Sequence, residues 1–411
     1  MNKKIIPFVP SGIIVPPTSK SYCHRYLIAA FLSGDNLTIN NFNFCDDTEA
    51  TIRCLNKLGV IYEKEGNSIK QVGLELPHDP MIFDVGGSAS TFRMLFPIIA
   101  YLASSCKFVS KEGLFRRPID TYLELLEEQG IGYRCTDHEL IVKGMISCKD
   151  YSIDANISSQ FVSGLLFLYA LNRSNNALTL MNDPVSWDYV EMTIDVLKEF
   201  GYVYDENLRI IEKKSLNLRE ITAEADYSAL SNFAVLAALK GSISFIGTNK
   251  NSRQADRKII DILENSGAKI AWKSGYLTVS ENELKPINVD LRNCIDLGPI
   301  LFVLASLIEG DSTITGYENL KYKESDRLYG MLNQLEKVGV EYEEVDGKII
   351  VHGKKQYFGK TTFNSLHDHR IAMALAIFTV ASDITSTIEG AECVSKSYPR
   401  FFETLEKLNQ E

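Results

Sequence analysis

The apolar and polar positions along the chain alternate between two kinds of helix. One kind is apolar on a single face, ends at a glycine and is followed by two short strand-like runs. It reads as TIRCLNKLGVIYEKEGNSIKQVG (Thr51–Gly73) and again as YLELLEEQGIGYRCTDHELIVKG (Tyr122–Gly144). The pattern returns from Thr193, Ile259 and Leu332, and the closing glycines are Gly59, Gly130, Gly201, Gly267 and Gly339. Glycine takes the left-handed conformation just past a helix at least cost, so each one marks a surface helix turning back into a hairpin. The other kind of helix is apolar on nearly all sides, which implies burial inside a domain. Its six openings are polar: SKSYCHR from Ser19, GGSASTFR from Gly86, ISSQFVS from Ile157, DYSALSN from Asp226, IDLGP from Ile295 and LHDHR from Leu366.

The two kinds alternate at a period of roughly 70 residues, which marks an internal repeat. Each unit reads as buried helix, strand, surface helix and strand hairpin. Three units can wrap their buried helices in sheets and outer helices, so the expected fold is α/β (α+β) with two similar domains. The length of 411 residues also exceeds what one core usually supports. The sixth unit ends at the helix Phe401–Leu408 without a hairpin, while Lys3–Val9 is a spare strand-like stretch. The N-terminus is therefore expected to complete the C-terminal domain. The expected division is residues 13–225 against 1–12 with 226–411, crossing near Gly12 and Thr222.

The polar openings carry the candidate chemistry. Helix N-termini present unpaired N–H groups and partial positive charge, so they attract anions. Ser, Asp and Asn there are also ordinary helix caps. Lys and Arg are disfavoured by the dipole in a first turn, and Lys20, Arg25, Arg93 and Arg370 therefore need a ligand or a buried partner. Gln160 and Asp296 occupy equivalent openings. Arg117 stands before a proline in FRRPI, and KYKESDRLYGML (Lys321–Leu332) places Lys323, Glu324 and Arg327 where a helix start would put them on one face. Small polyanions held by converging openings fit this pattern.

Charge and cysteine usage narrow the classes further. A net charge of −10 argues against nucleic acid as a partner. The eight cysteines show no zinc spacing, so no metal is expected, and they suit a reducing cytoplasm. The proline-broken start does not read as a signal peptide, and the longest apolar runs reach about half the ~20 residues that span a bilayer.

Taken in order, SKSxxxR (Ser19–Arg25), GGSASTFR (Gly86–Arg93), RPI (Arg117–Ile119), SSQFVS (Ser158–Ser163), KESDR (Lys323–Arg327), DHRIAM (Asp368–Met373) and KSYPRF (Lys396–Phe401) resemble the 3-phosphoshikimate 1-carboxyvinyltransferase family of enolpyruvyl transferases. The resemblance spans nearly the whole chain. It implies two domains of three βαβαββ units, with helix N-termini facing an interdomain cleft. It implies transfer of the enolpyruvyl group of phosphoenolpyruvate to the 5-hydroxyl of shikimate 3-phosphate through a tetrahedral intermediate, with no cofactor. By resemblance, Asp296, Glu324 and Lys20 are catalytic. Lys20, Ser21, Arg25, Ser158, Ser159, Gln160, Ser186, Tyr189, Asp296, Asn319 and Lys323 would bind shikimate 3-phosphate. Lys20, Ser90, Arg117, Gln160, Arg327, Arg370 and Lys396 would bind phosphoenolpyruvate. The domain of residues 13–225 would be the shikimate-phosphate side and the other the phosphoenolpyruvate side. A cytoplasmic monomer, without membrane or nucleic-acid partners, is expected.

The chain departs from the family pattern at Gly86-Gly87-Ser88-Ala89-Ser90, where Ala89 replaces a common glycine and bears on sensitivity to the inhibitor glyphosate. Lys321, Asp188 and His367 replace an Arg, a Pro and an Asn that are usual in the family. The rival readings are UDP-N-acetylglucosamine 1-carboxyvinyltransferase and a non-catalytic anion- or RNA-binding protein on the same scaffold. The first typically has a reactive cysteine before the Arg-Pro segment. Cys106 lies eleven residues ahead of Arg117, in a strand-like stretch, and reads as a buried structural thiol. His78, His138 and His352 read as solvent-facing, and His369 as a partner behind the site.

Overall fold

The computed structural model describes residues 1–34, 36–77, 81–110, 113–182, 185–216, 218–273 and 275–409. His78 lies outside the described residues. The chain divides into two compact units, one of Thr18–Ala223 and one of Met1–Pro17 with Glu224–Glu411.

Within Thr18–Ala223 the helices are α1 (Lys20–Ser33), α2 (Asp46–Lys57), α3 (Ala89–Leu102), α4 (Asp120–Glu128), α5 (Ser159–Asn172) and α6 (Asp188–Glu199). Helices α1, α3 and α5 pack on one another, and their Phe92, Phe96, Phe161 and Leu165 side chains are fully buried. In the other unit the helices are α7 (Tyr227–Leu239), α8 (Lys258–Ser266), α9 (Gly298–Leu307), α10 (Arg327–Glu336), α11 (His369–Ala381) and α12 (Phe401–Lys407). There α7, α9 and α11 form the same buried trio, with Phe233, Leu301, Phe302 and Phe378 inside. The odd-numbered helices are thus the ones that the sequence marks as apolar all round.

The sheets repeat one order. In the second repeat Ile82–Asp84 runs parallel to Ser105–Val109, which pairs antiparallel with Glu139–Lys143, itself in a hairpin with Gly132–Cys135. Asn288–Asp290, Gly310–Thr315, Lys348–Gly353 and Glu341–Val345 reproduce that order in the other unit. All five closing glycines have positive φ, from 66° at Gly130 to 111° at Gly267. At Gly59 a Cβ would stand 2.2 Å from the Glu75 carbonyl oxygen, so the hairpin strand closes on the helix end only because the side chain is absent.

The crossings use strands that the repeat pattern alone does not assign. Ser11–Ile14 leads in sequence into α1, yet it pairs parallel with Ser242–Ile246. Glu220–Thr222 leads into α7, yet it pairs parallel with Thr38–Asn40. Each strand stays with the unit that the chain is leaving. Residues 13–17 therefore lie with residues 224–411 rather than with the unit expected to begin at residue 13, and Glu224 and Ala225 also fall on that side of the division. The spare N-terminal strand is Asn2–Ile5, antiparallel to Thr385–Glu389, where a hairpin strand of the sixth repeat would lie.

Candidate functional site

Five of the six buried helices are capped by a side chain at their openings: α1 by Ser19, α3 by Ser88, α5 by Ser158, α7 by Asp226 and α11 by Asp368. Capping satisfies only part of the first turn, and the long polar side chains beside each cap form two clusters, one per unit.

In Thr18–Ala223 the cluster forms around three openings. Lys20 at the start of α1 pairs with Asp47 of α2 at 2.7 Å. Arg25 is buried and donates to the Thr193 hydroxyl at 2.7 Å, the Ser21 carbonyl at 2.9 Å and the Tyr189 carbonyl at 2.8 Å. None of the described ion pairs involves it, and its guanidinium lies 5.8 Å from the Tyr189 ring centroid. Burial pulls Arg25 down to about 10, partly offset by Tyr189 and Tyr22, so it stays charged at neutral pH. A buried cation facing only neutral oxygens is suited to an incoming anion.

Arg93 of α3 ties the other openings together. It donates to Ser158 Oγ at 3.4 Å and Gln160 Oε1 at 3.3 Å, and to the Pro118 carbonyl at 3.0 Å. Gln160 in turn donates to Ser90 Oγ at 2.9 Å. The openings of α3 and α5 and the segment after Arg117 are therefore one hydrogen-bonded group. Ser186 completes the set as a buried residue with φ of 53°, a left-handed backbone that serine rarely adopts. Behind α1, His24 Nδ1 and the Thr51 hydroxyl lie 2.7 Å apart, and Thr51 and Thr91 are linked at 2.7 Å. Burial, with Lys20 and Arg25 nearby and Asp47 opposing, drives His24 down to about 3, so it is a neutral member of the scaffold.

In the other unit one carboxylate gathers three cations. Asp296 lies in a short 3-10 turn ahead of α9; its Oδ1 is 2.8 Å from Arg327 and 3.4 Å from Lys323, and its Oδ2 is 3.0 Å from Arg370. Burial alone would push the Asp296 carboxyl up, but Arg370, Lys323 and Arg327 outweigh it and hold it well below the ordinary carboxylate range. Arg327 is 1% exposed and spreads over three carboxylates: Asp296, Glu324 at 2.5 Å and Asp368 at 2.7 Å. Burial pulls Lys323 below its usual value, although Asp296 opposes this. Arg370 is nearly buried, and Asp296 helps to raise it above its ordinary value against the cost of burial.

This geometry corrects one expectation. Lys323 and Glu324 do not begin a surface helix, because Asp326 caps α10 by accepting from Leu328 N and Tyr329 N, and the helix starts at Arg327. Lys323 and Arg327 meet at Asp296 Oδ1, and Glu324 pairs with Arg327, instead of all three sharing a helical face. Lys396 is buried at the end of a 3-10 turn, Asn319 is half-buried in another, and Arg117 is half-buried just before Pro118. His369 is buried, with Nδ1 3.9 Å from Asp368. The sequence reading missed Asp47 and Asp368 as counter-ions. Their acidity was visible in FCDDTEA and DHRIAM, but their partners lie 27 and 41 residues away. Cys106 is buried, and burial pushes its thiol to about 12, which leaves it unreactive.

Among the described residues no helix is long and apolar enough to cross a membrane. The fold is that of the enolpyruvyl transferases. EPSP synthase from Acinetobacter baumannii superposes with a TM-score of 0.80 at 24% identity, over 99% of this chain and 98% of that one. The enolpyruvyl transferase NikO from Streptomyces tendae gives 0.73 at 15% identity, over 99% and 97%. Within that class the sequence is more specific. The EPSP synthase (3-phosphoshikimate 1-carboxyvinyltransferase) family model matches residues 9–405. The 3-phosphoshikimate 1-carboxyvinyltransferases of Clostridium kluyveri and Clostridium acetobutylicum are 36% and 34% identical, covering 97% and 98% of this chain and 95% and 96% of those proteins. The chain belongs to the EPSP synthase family.

Proposed function

We propose that this protein transfers the enolpyruvyl group of phosphoenolpyruvate to the 5-hydroxyl of shikimate 3-phosphate and releases phosphate. The observation that carries the reading is Asp296, a carboxylate kept ionised by Arg327, Arg370 and Lys323. Such a group accepts a proton from a hydroxyl, while the cations around it attract a phosphate and a carboxylate.

In the addition step the 5-hydroxyl oxygen bonds to C2 of phosphoenolpyruvate, the hydroxyl proton passes to Asp296, and C3 gains a proton from Glu324 or Lys20. The product is a tetrahedral phosphate ester. In the elimination step C3 returns a proton to the group that supplied it, the C2–C3 double bond re-forms, and the C2–O bond to phosphate breaks, the departing phosphate taking the proton held by Asp296. An anionic ligand on Arg370 and Lys323 would draw part of their charge away from Asp296. Its basicity would rise as the substrate arrives, which is when a base is needed.

The shikimate phosphate fits the opening of α5, with Ser158, Ser159 and Ser186 as hydroxyl donors and an N-terminal turn beneath. Arg25 with Ser21 suits the shikimate carboxylate, and Gln160, Tyr189, Asn319 and Lys323 the remainder of the ring. Arg117, Arg327, Arg370 and Lys396, with Lys20, Ser90 and Gln160, are assigned to phosphoenolpyruvate, because planar guanidinium donors match carboxylate and phosphate oxygens in pairs. Burial of Arg327 makes it a fixed electrostatic centre rather than a mobile clamp. A cytoplasmic monomer is part of the same reading.

Phosphate release from phosphoenolpyruvate tests it directly. Release is expected with shikimate 3-phosphate and not with UDP-N-acetylglucosamine; the reverse preference, or release with neither, overturns the assignment. Ala89 stands in the first turn of α3, beside Ser90. Its methyl group crowds an inhibitor longer than phosphoenolpyruvate, so Ala89→Gly is expected to lower the glyphosate concentration for half-inhibition by about tenfold or more, the scale of one lost steric contact. Equal sensitivity of the two proteins removes that role from Ala89.

A further inference from the structure

Asp256 is a buried carboxylate that the proposed reaction does not use. It sits in the 3-10 turn Ala255–Arg257 ahead of α8 and is 1% exposed. Ser228, in the first turn of α7, donates to its Oδ2, and its Oδ1 is buried with no hydrogen-bond partner. Three charged groups face it from the elements packed around it: Asp226, the cap of α7; Asp296, ahead of α9; and Arg370, in the first turn of α11. Among the described residues it forms no ion pair.

This placement ties Asp256 to the charge balance of the cluster. Among the described residues, ion pairs join Asp296, Glu324 and Asp368 to Lys323, Arg327 and Arg370. An ionised Asp256 adds a further buried negative charge whose field reaches Arg370, the cation assigned to phosphoenolpyruvate. A neutral Asp256 does not. We infer that Asp256 is a positioning residue that takes up a proton when an anion settles on Arg370 and Lys323, so that it no longer competes with the ligand for the charge of Arg370. The inference rests on the proposed function. Burial and Asp296 push Asp256 up to about 6, against Arg370 and the Ser228 hydroxyl, so the group is poised where such a change occurs. A bound anion adds negative charge and raises its proton affinity further. By reciprocity, protonation tightens anion binding by the same factor.

The test is calorimetric titration of phosphoenolpyruvate into the protein saturated with shikimate 3-phosphate, in buffers of different ionisation heat, between pH 6 and 8.5. Wild type is expected to take up more protons per ligand than Asp256→Asn, the difference approaching a large fraction of one proton. The variant counts the ligand's own protons. Wild-type affinity should weaken relative to the variant as pH rises, by at most about tenfold per pH unit. Ser228→Ala removes the hydroxyl that favours the ionised form, so the window should move to higher pH; this second variant decides the matter if Asp256→Asn does not fold. Binding with equal proton counts and parallel pH profiles in all three proteins overturns the inference alone. Absence of phosphoenolpyruvate binding in all three overturns the proposed function and this inference with it. A purely structural Asp256 would change the melting temperature and leave the proton count where it was.

Discussion

Replacing Asp296 by Asn is expected to slow phosphate release by about 10²–10⁴-fold, the range spanned by a positioned acid or base. The amide keeps the shape of the carboxylate and can still accept from Arg327, so the fold should persist. What it loses is the capacity to take a proton. The substitution also frees charge on Arg370 and Lys323, which hold Asp296 Oδ2 and Oδ1 at 3.0 and 3.4 Å. KM for phosphoenolpyruvate should therefore stay level or fall while kcat collapses. Steady-state kinetics with both substrates varied separates the two effects. A variant within about threefold of wild-type kcat would move the proton-accepting role elsewhere, since that is a far smaller effect than general-base loss produces.

The second large effect is on stability. Arg327→Met removes a cation shared by Asp296, Glu324 and Asp368, and Asp368 has no exposure at all. Breaking a buried pair strands the remaining charge, at a cost of about 3–5 kcal/mol. Urea unfolding at pH 7 should show that loss in its midpoint, and Arg327→Lys should recover little, because one ammonium cannot make the three-way fork. The pH dependence has a definite sign. Burial raises the Asp368 carboxyl, but Arg327 outweighs it and holds the group below its ordinary value of 3.8. Its stabilising contribution is present above that value and is lost as pH falls through the depressed one. The gap between wild type and Arg327→Met should narrow as the medium is acidified below about pH 4. A gap that stays constant, or an unchanged midpoint at pH 7, removes Arg327 from its central structural place.

The repeated architecture was legible because its signals are local. An apolar stripe with a closing glycine specifies a surface helix and its turn within about fifteen residues of sequence. The all-round apolar helices with polar openings were equally plain, and five of the six openings carry side-chain caps. The site was legible in its cations and less so in its counter-ions. Lys20, Arg25, Arg93 and Arg370 stood out because positive charge at a helix start needs a reason, whereas Asp47, Asp256 and Asp368 look like ordinary caps or turn residues. The spacing of Lys323 and Arg327 misled, because an i,i+4 pair faces one way only inside a helix, and Asp326 starts that helix at Arg327.

What the chain alone determined is therefore the inventory: repeating units, buried helices with polar heads, and the residue types able to hold anions. These depend on patterns a few residues long, where backbone sterics and hydrophobic periodicity decide the outcome. Tertiary structure decided the pairings. It sent Ser11–Ile14 to Ser242–Ile246 and Glu220–Thr222 to Thr38–Asn40, and it placed Asp296 among three cations. Strand partners and buried charge pairs gain their energy from contacts across long stretches of chain, once water has been excluded around them. No short window of sequence contains both members of these two strand pairs, or Asp296 with any of its three cations.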